Sequence, residues 1–162
     1  MSAFVVVGAA GIVGSEVADA LVGRGSRGVA PVRDQSRRVP DGVRPIVADA
    51  NDLTAMAGAL EGMDKMFLLP GLRGTSELLR MALECDVARV VLLSSASVEH
   101  SGNEDALTTF HRRSERAVQA SGFSWTILSP PGLRQQRAAL ERPNAHRRRC
   151  TAPLSRPPRG VR

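Results

Sequence analysis

The chain has 162 residues, enough for one domain with its own core and too few for two comfortable ones. Its formal charge of +6 is uneven: residues 137–162 hold 8 of the 22 basic and 1 of the 16 acidic side chains, leaving 14 basic against 15 acidic in the rest, so the charge argues about partners only for the end of the chain. No apolar run approaches the roughly 20 residues that span a bilayer, and Met1-Ser2-Ala3 lacks the regions of a leader, so a cytoplasmic protein without a membrane partner is expected.

The first element is the apolar run Val5-Val6-Val7, which breaks at Gly8. Beyond it Ile12, Val13, Val17, Ala18, Ala20 and Leu21 recur at helical spacing, with Ser15, Glu16 and Asp19 between them, so the spacing predicts a strand turning into a helix over about 12–24. Gly8 lets the chain leave the strand sharply. Gly11 removes a Cβ where a pyrophosphate would approach the backbone, and Gly14 lets the helix press against the sheet. The N–H groups of the first helical turn then face the phosphates, aided by the helix dipole. A tight turn that merely needs glycine is the alternative. It explains Gly14 poorly, because glycine inside a helix costs about 1 kcal/mol relative to alanine.

The spacing G-x-x-G-x-x-G, with Ala10 in place of a further glycine, resembles the short-chain dehydrogenase/reductase superfamily, and more narrowly its NmrA-like, NAD(P)-binding branch. The resemblance implies a Rossmann-like α/β fold: a doubly wound parallel sheet of about six strands in three layers, covering residues 1–136. It also implies that Gly8, Ala10, Gly11, Ile12, Val13 and Gly14 surround the cofactor's phosphates.

The apolar stretch 29–33 predicts a second buried strand. Pro31 removes a ladder donor from a strand expected between two others, so a shortened or locally broken strand is expected there. At its end an acidic side chain would accept from the ribose 2′-hydroxyl of NAD, whereas arginine pairs with the 2′-phosphate of NADP. Arg33 stands there, with Arg37 and Arg38 behind it. Asp34 falls one residue later, in a segment similar to the family's V-R-D-P, so NADP is preferred over NAD; the alternative is a solvated charged loop. A third strand at 44–48 leads to a short helix carrying Leu53, Met56, Ala57 and Leu60, capped by Asn51 or Asp52 and closed by Gly62. Resemblance to the family's G-D-x-x-D segment puts Asp49, with Ala50, beside the adenine; a turn-forming aspartate is the alternative.

A fourth strand (66–69) ends in Pro70-Gly71. A helix over 75–85 follows, with Leu78, Leu79, Ala82 and Leu83 on its inner face, and a fifth strand (90–93) ends in Ser94-Ser95. Cys85 and Cys150 lie in unlike contexts with no Cys-x-x-Cys, so neither a disulfide framework nor a metal site is expected, and Cys85 is assigned to the core. Ligands of open parallel sheets bind outside the carboxyl ends of the strands, which puts Pro70, Gly71 and Ser94 at the nicotinamide end and makes Ser95 a candidate catalytic residue. Serines that only satisfy strand-end carbonyls are the alternative.

A helix over 105–121 stops at Gly122 and a sixth strand occupies 125–128. The segment from Ser121 to Leu133 resembles the NmrA-like S-G-x-x-x-T-x-L-R-P-x-x-F-x-x-N, with Ser129, Leu133 and Gln136 replacing its arginine, phenylalanine and asparagine. Classical members of the superfamily use Tyr-x-x-x-Lys on this helix. The chain contains no tyrosine, and its one lysine is Lys65, so that mechanism is excluded. His111 and Glu115 share a helical face instead, which makes His111 a candidate proton carrier; a solvated pair is the alternative.

Residues 137–162 are rich in arginine and proline, without periodicity, so an unstructured tail is expected there. A basic arm for nucleic acid, a plain solvated tail and an out-of-frame sequence are three readings of it. The absence of aromatic residues for base stacking argues against the first. The preferred function is an NADP-binding oxidoreductase acting on a quinone or small carbonyl, incomplete on its substrate side. A non-catalytic NADP-binding sensor is the second reading and nucleic-acid binding the third.

Overall fold

Ala3, Phe4, Val5 and Val6 carry nothing for water, and all four are buried as the strand β1 (Ala3–Val6). In a computed structural model that describes residues 2–96, 98 and 106–130, β1 is followed by α1 (Ile12–Val22), β2 (Arg27–Val32), β3 (Val43–Val47), α2 (Leu53–Leu60), β4 (Lys65–Leu68), α3 (Thr75–Glu84), β5 (Arg89–Leu93), α4 (Ala106–Gln119) and β6 (Ser124–Leu128). The strands form one parallel sheet in the order β3-β2-β1-β4-β5-β6, the doubly wound order expected from the sequence. Both halves diverge from β1, so the crevice where ligands sit opens between the carboxyl ends of β1 and β4.

Side chains of a strand alternate between its two faces, and the core splits accordingly. Phe4 and Val6 pack with Ala18 of α1, Ala30, Val43 and Phe67 on one face. Val5 packs with Met56 and Leu60 of α2, Leu78 and Leu79 of α3, Val118 of α4, Met66, Leu68 and Leu92 on the other. Each fully buried large side chain contributes about 1.5–3 kcal/mol. Helices on both faces complete the three layers.

Pro31 does not break its strand, contrary to the expectation. β2 stays in register with β3 through Pro31↔Ile46 and Val32↔Val47. Arg27 donates to the Ser2 carbonyl and the Val32 carbonyl accepts from Ala48, so residues 27, 29 and 31 turn their amide positions toward β1 and residues 28, 30 and 32 toward β3. The β1–β2 pairing ends at Val5↔Val29. The donor that proline lacks is therefore lost on the β1 side alone, where the pairing stops one residue short of the end of β1, and the ladder to β3 carries the strand through it.

Two inner-face assignments change. Leu83, expected inside α3, is 49% exposed, because the buried stripe is Thr75, Leu78, Leu79 and Ala82 and Leu83 stands beside it, one residue from the end of the helix. In α2 the buried residues are Met56, Ala59 and Leu60, and Ala57 turns outward. Between the two capping candidates, Asp52 is the cap: its carboxylate accepts from the Thr54 and Ala55 N–H groups at 3.0 and 3.2 Å. Asp52→Ala is expected to cost about 1 kcal/mol in urea unfolding. Asn51 is engaged elsewhere, its Oδ1 accepting from Arg73 N at 3.0 Å.

Cys85 is half-buried against the core, and burial pushes its thiol up from the ordinary value. Among the described residues no helix is long and apolar enough to cross a membrane. The expected helix start at Asp105, Leu133, Gln136, Cys150 and the tail at 137–162 lie outside the described residues.

Candidate functional site

Between β1 and α1 the chain needs to reverse within a few residues, and glycine decides how tightly. Gly8 takes φ +87, and its carbonyl accepts from Gly11 N at 2.9 Å, closing the turn. No side chain caps α1, so its first-turn N–H groups remain for a ligand in front of the helix dipole. Gly14 is buried where the helix and the loop backbone meet most closely. A Cβ on it would lie 2.6 Å from the Gly8 carbonyl carbon and 2.9 Å from Ala9 N, nearer still to the Gly8 oxygen. The sequence reading had Gly14 pressing on the sheet; its neighbour is instead the backbone of the loop, held folded against the helix. Ala10, Gly11, Ile12 and Val13 are exposed along the rim.

At the end of β2, Arg33 is exposed, with its Nε 3.8 Å from Asp49 Oδ2 across the end of β3. Asp34, the acidic rival, is turned back into its own loop. Its Oδ1 accepts from Ser36 N at 2.9 Å and from the Ser36 hydroxyl, and its Oδ2 faces Arg37. The Ser36 hydroxyl and amide, opposed slightly by desolvation and helped by Arg37, hold this carboxyl below its ordinary value. Asp49 is depressed in the same way, first by the Asn51 N–H and then by the Asn51 side chain, both donating to its Oδ1. Its Oδ2 faces Arg33. Ala50 follows, half-buried against the core.

The ends of β4 and β5 meet the inner stripe of α4. Gly71, at φ +89, donates its N–H to Ser114 Oγ at 3.0 Å, and the Phe110 ring lies where its Cβ would be. Pro70 beside it is half-buried. Ser94 is 4% exposed; its N–H donates to the Leu128 carbonyl at 2.7 Å and its hydroxyl donates to Glu115 Oε1. Ser95 is half-buried one residue on. His111 and Glu115 do share a face, but the carboxylate is engaged by Ser94, while His111 Nδ1 is buried without a hydrogen-bond partner. The ring of His111 stands edge-on to Phe110, 5.4 Å between centroids at 82°.

Phe110 and Ser114 were not anticipated from the sequence. For Ser114 a signal existed: His111, Ser114, Glu115 and Val118 follow the i, i+3, i+4, i+7 pattern of a buried helical face, with polar residues at three of its four places. Lys65, by contrast, opens β4 at the opposite end of the sheet.

Seven large apolar side chains are exposed among the described residues: Ile12, Val13, Val47, Leu83, Leu107, Phe110 and Leu128. All but Leu83 lie at the carboxyl ends of strands or in the first turns of the helices that follow them. Ile12, at the mouth of the glycine loop, is 88% exposed. Apolar surface concentrated at one end of a sheet marks a ligand-binding edge.

Over residues 8–149 the chain matches the family model described as NAD(P)H-binding. No protein with a curated description matches it. Its fold is shared with a short-chain dehydrogenase/reductase superfamily protein from Agrobacterium tumefaciens with bound NAD, at a TM-score of 0.65 and 22% identity over 78% of this chain and 48% of that one. Triphenylmethane reductase from Citrobacter sp., complexed with NADP(H), gives 0.66 and 20%, over 78% and 49%. An NADPH-dependent quinone oxidoreductase from Escherichia coli gives 0.64 and 23%, over 77% and 46%. The chain spans about half the length of these three proteins.

Proposed function

The chain belongs to the NAD(P)H-binding family, and from that premise we propose that it is an NADP-preferring oxidoreductase of the type that reduces a quinone or small carbonyl. In this reading Gly8, Ala10, Gly11, Ile12, Val13 and Gly14 hold the pyrophosphate, Asp49 and Ala50 flank the adenine, and Pro70, Gly71 and Ser94 line the nicotinamide end. A bound dihydronicotinamide supplies the hydride. Ser95 and His111 are the candidates for handling the accompanying proton, since tyrosine is absent from the chain. The triphenylmethane and quinone reductases that share the fold support the reaction class.

One observation carries the cofactor preference. Asp34, the residue that would accept from the 2′-hydroxyl of NAD, spends its carboxylate on Ser36 and Arg37, while the Arg33 side chain is 74% exposed and only loosely paired. A 2′-phosphate would meet Arg33, beside two carboxylates that are each hydrogen-bonded within their own turn, Asp34 to Ser36 and Asp49 to Asn51. Calorimetric titration of the full chain with NADPH and NADH tests this. NADPH is expected to bind at least tenfold more tightly, and Arg33→Ala is expected to remove most of the difference while leaving NADH affinity within about twofold. Equal affinities in the unmodified chain would overturn the preference.

The second reading is a non-catalytic NADP sensor, favoured by the position of Lys65 at the far end of the sheet and the lack of any tyrosine. It predicts NADPH binding without NADPH oxidation when a quinone is added. Turnover followed by the loss of dihydronicotinamide absorbance would exclude it.

A further inference from the structure

An open sheet has two edges, and an edge strand offers its outward N–H and C=O groups to another strand unless something blocks them. Here the edges are β3 and β6, and they are built differently. Ala48 donates to the Val32 carbonyl, so residues 44, 46 and 48 face β2 while Val43, Pro45 and Val47 face outward. The Val43 N–H is spent on the Pro40 carbonyl at 3.1 Å and Pro45 has none, which leaves Val47 alone to donate. Arg44, exposed, adds a charge to the same edge. On the other side of the sheet Ser94 donates to the Leu128 carbonyl and Ala96 to the Pro130 carbonyl. The even-numbered residues therefore face β5, and Trp125, Ile127 and Ser129 face outward. All three carry an N–H, and among the described residues no hydrogen bond reaches their outward groups. From Ser124 to Ser129 the strand has neither a charge nor a proline.

We propose that β6 is the interface to a second copy of this chain, the two strands pairing antiparallel across a two-fold axis at Ile127. In that register Ile127 opposes Ile127 of the second copy and Trp125 opposes its Ser129, and each facing pair exchanges two N–H···O bonds. Trp125 and Ile127 pack on the core shared with α2, α3 and α4, so Thr126 and Leu128 alternate onto the other side of the sheet. Leu128, 44% exposed, gains Thr126 of the second copy as its cross-strand neighbour. Two observations name a second copy as the occupant. Identical edges meeting about a two-fold axis confront each other with their own charges, so an uncharged strand fits, as β6 is and β3 with Arg44 is not. The blocked β3 also prevents a head-to-tail pairing of β6 with β3, which would run on into a fibre, and only the closed, isologous pair remains. The interface is independent of the cofactor reading.

Sedimentation of the full chain over a concentration series, with residue-resolved amide exchange by NMR, tests this. The chain is expected to pass from monomer to dimer at micromolar concentrations. Protection of the Trp125, Ile127 and Ser129 amides should rise as the dimer forms, whereas Thr126 and Leu128, bonded to β5, should be protected in the monomer already. Ser129→Pro removes an outward donor from each copy and leaves the ladder to β5 intact, so it should weaken the dimer about tenfold or more. Ile127→Pro, which takes the donors of the central pair, should abolish the dimer. A chain that stays monomeric throughout would overturn the interface, whether the three outward amides exchange freely or are protected at every concentration by another part of the same chain. A dimer indifferent to Ser129→Pro would overturn it as well, by placing the contact elsewhere.

Discussion

Gly14→Ala is expected to reduce NADPH affinity more than a hundredfold and to lower stability by about 1–3 kcal/mol, the range for forcing extra volume into a packed site. The added methyl meets the Gly8 carbonyl carbon at 2.6 Å and Ala9 N at 2.9 Å, both backbone atoms of the turn proposed to hold the pyrophosphate. Neither can swing aside as a side chain could, so the loop must open. Gly58 provides the control. It also lies within a helix, α2, but with nothing inside 4 Å of its missing Cβ, and Gly58→Ala should stabilise by up to about 1 kcal/mol through helix propensity alone. Paired calorimetry and urea unfolding of the two variants separate a requirement for closeness from a general sensitivity to glycine replacement. Unchanged NADPH affinity in Gly14→Ala would remove the loop from the binding site.

Gly71→Ala is expected to cost about 2–4 kcal/mol and to loosen α4 from the end of β4. Two terms add: an L-residue at φ +89 costs about 1–2 kcal/mol, and the methyl overlaps the Phe110 ring, which must leave its seat. A double-mutant cycle separates them. In a Phe110→Ala background the steric term disappears and the dihedral term stays, so Gly71→Ala should cost about 1–2 kcal/mol less there. Strict additivity would show that the ring and the glycine are not coupled.

Where periodicity controlled the outcome, the sequence was readable. The apolar run of β1, the helical spacing behind Gly14 and the turn residues closing each element place six strands, the family resemblance supplies their order, and the three glycines locate the loop. The failures have a common physical form. Pro31 looked disruptive because proline removes a ladder donor, but it does so on one side of its strand only, and the ladder to β3 that holds the other side is a property of two strands. Leu83 fits the spacing of an inner face yet stands beside the buried stripe of Thr75, Leu78, Leu79 and Ala82, half exposed. At the site, Asp34 and Arg33 are adjacent in sequence and opposite in availability, a distinction made by the conformation of a three-residue loop. Ser94 and Glu115, or Gly71 and Phe110, are separated by 21 and by 39 positions, and no local pattern in either segment points to the other. The polar stripe of α4 was visible; what it faces was not.

The central position of β1 also bears on how the molecule is made. Its two ladders join Ala3 to Arg27 on one side and Phe4 to Lys65 on the other, and the space above Gly8 is filled by Leu69. Non-local parallel pairings of this kind form late, because the loop-closure entropy must be met before any contact rewards it. The glycine loop, although encoded within the first fourteen residues, therefore has no native walls until the chain has been synthesised through β4. A nascent chain shorter than that presents a glycine-rich hinge, and cofactor in the cell can drive folding only after this long-range step, by capturing the sheet once β4 has docked.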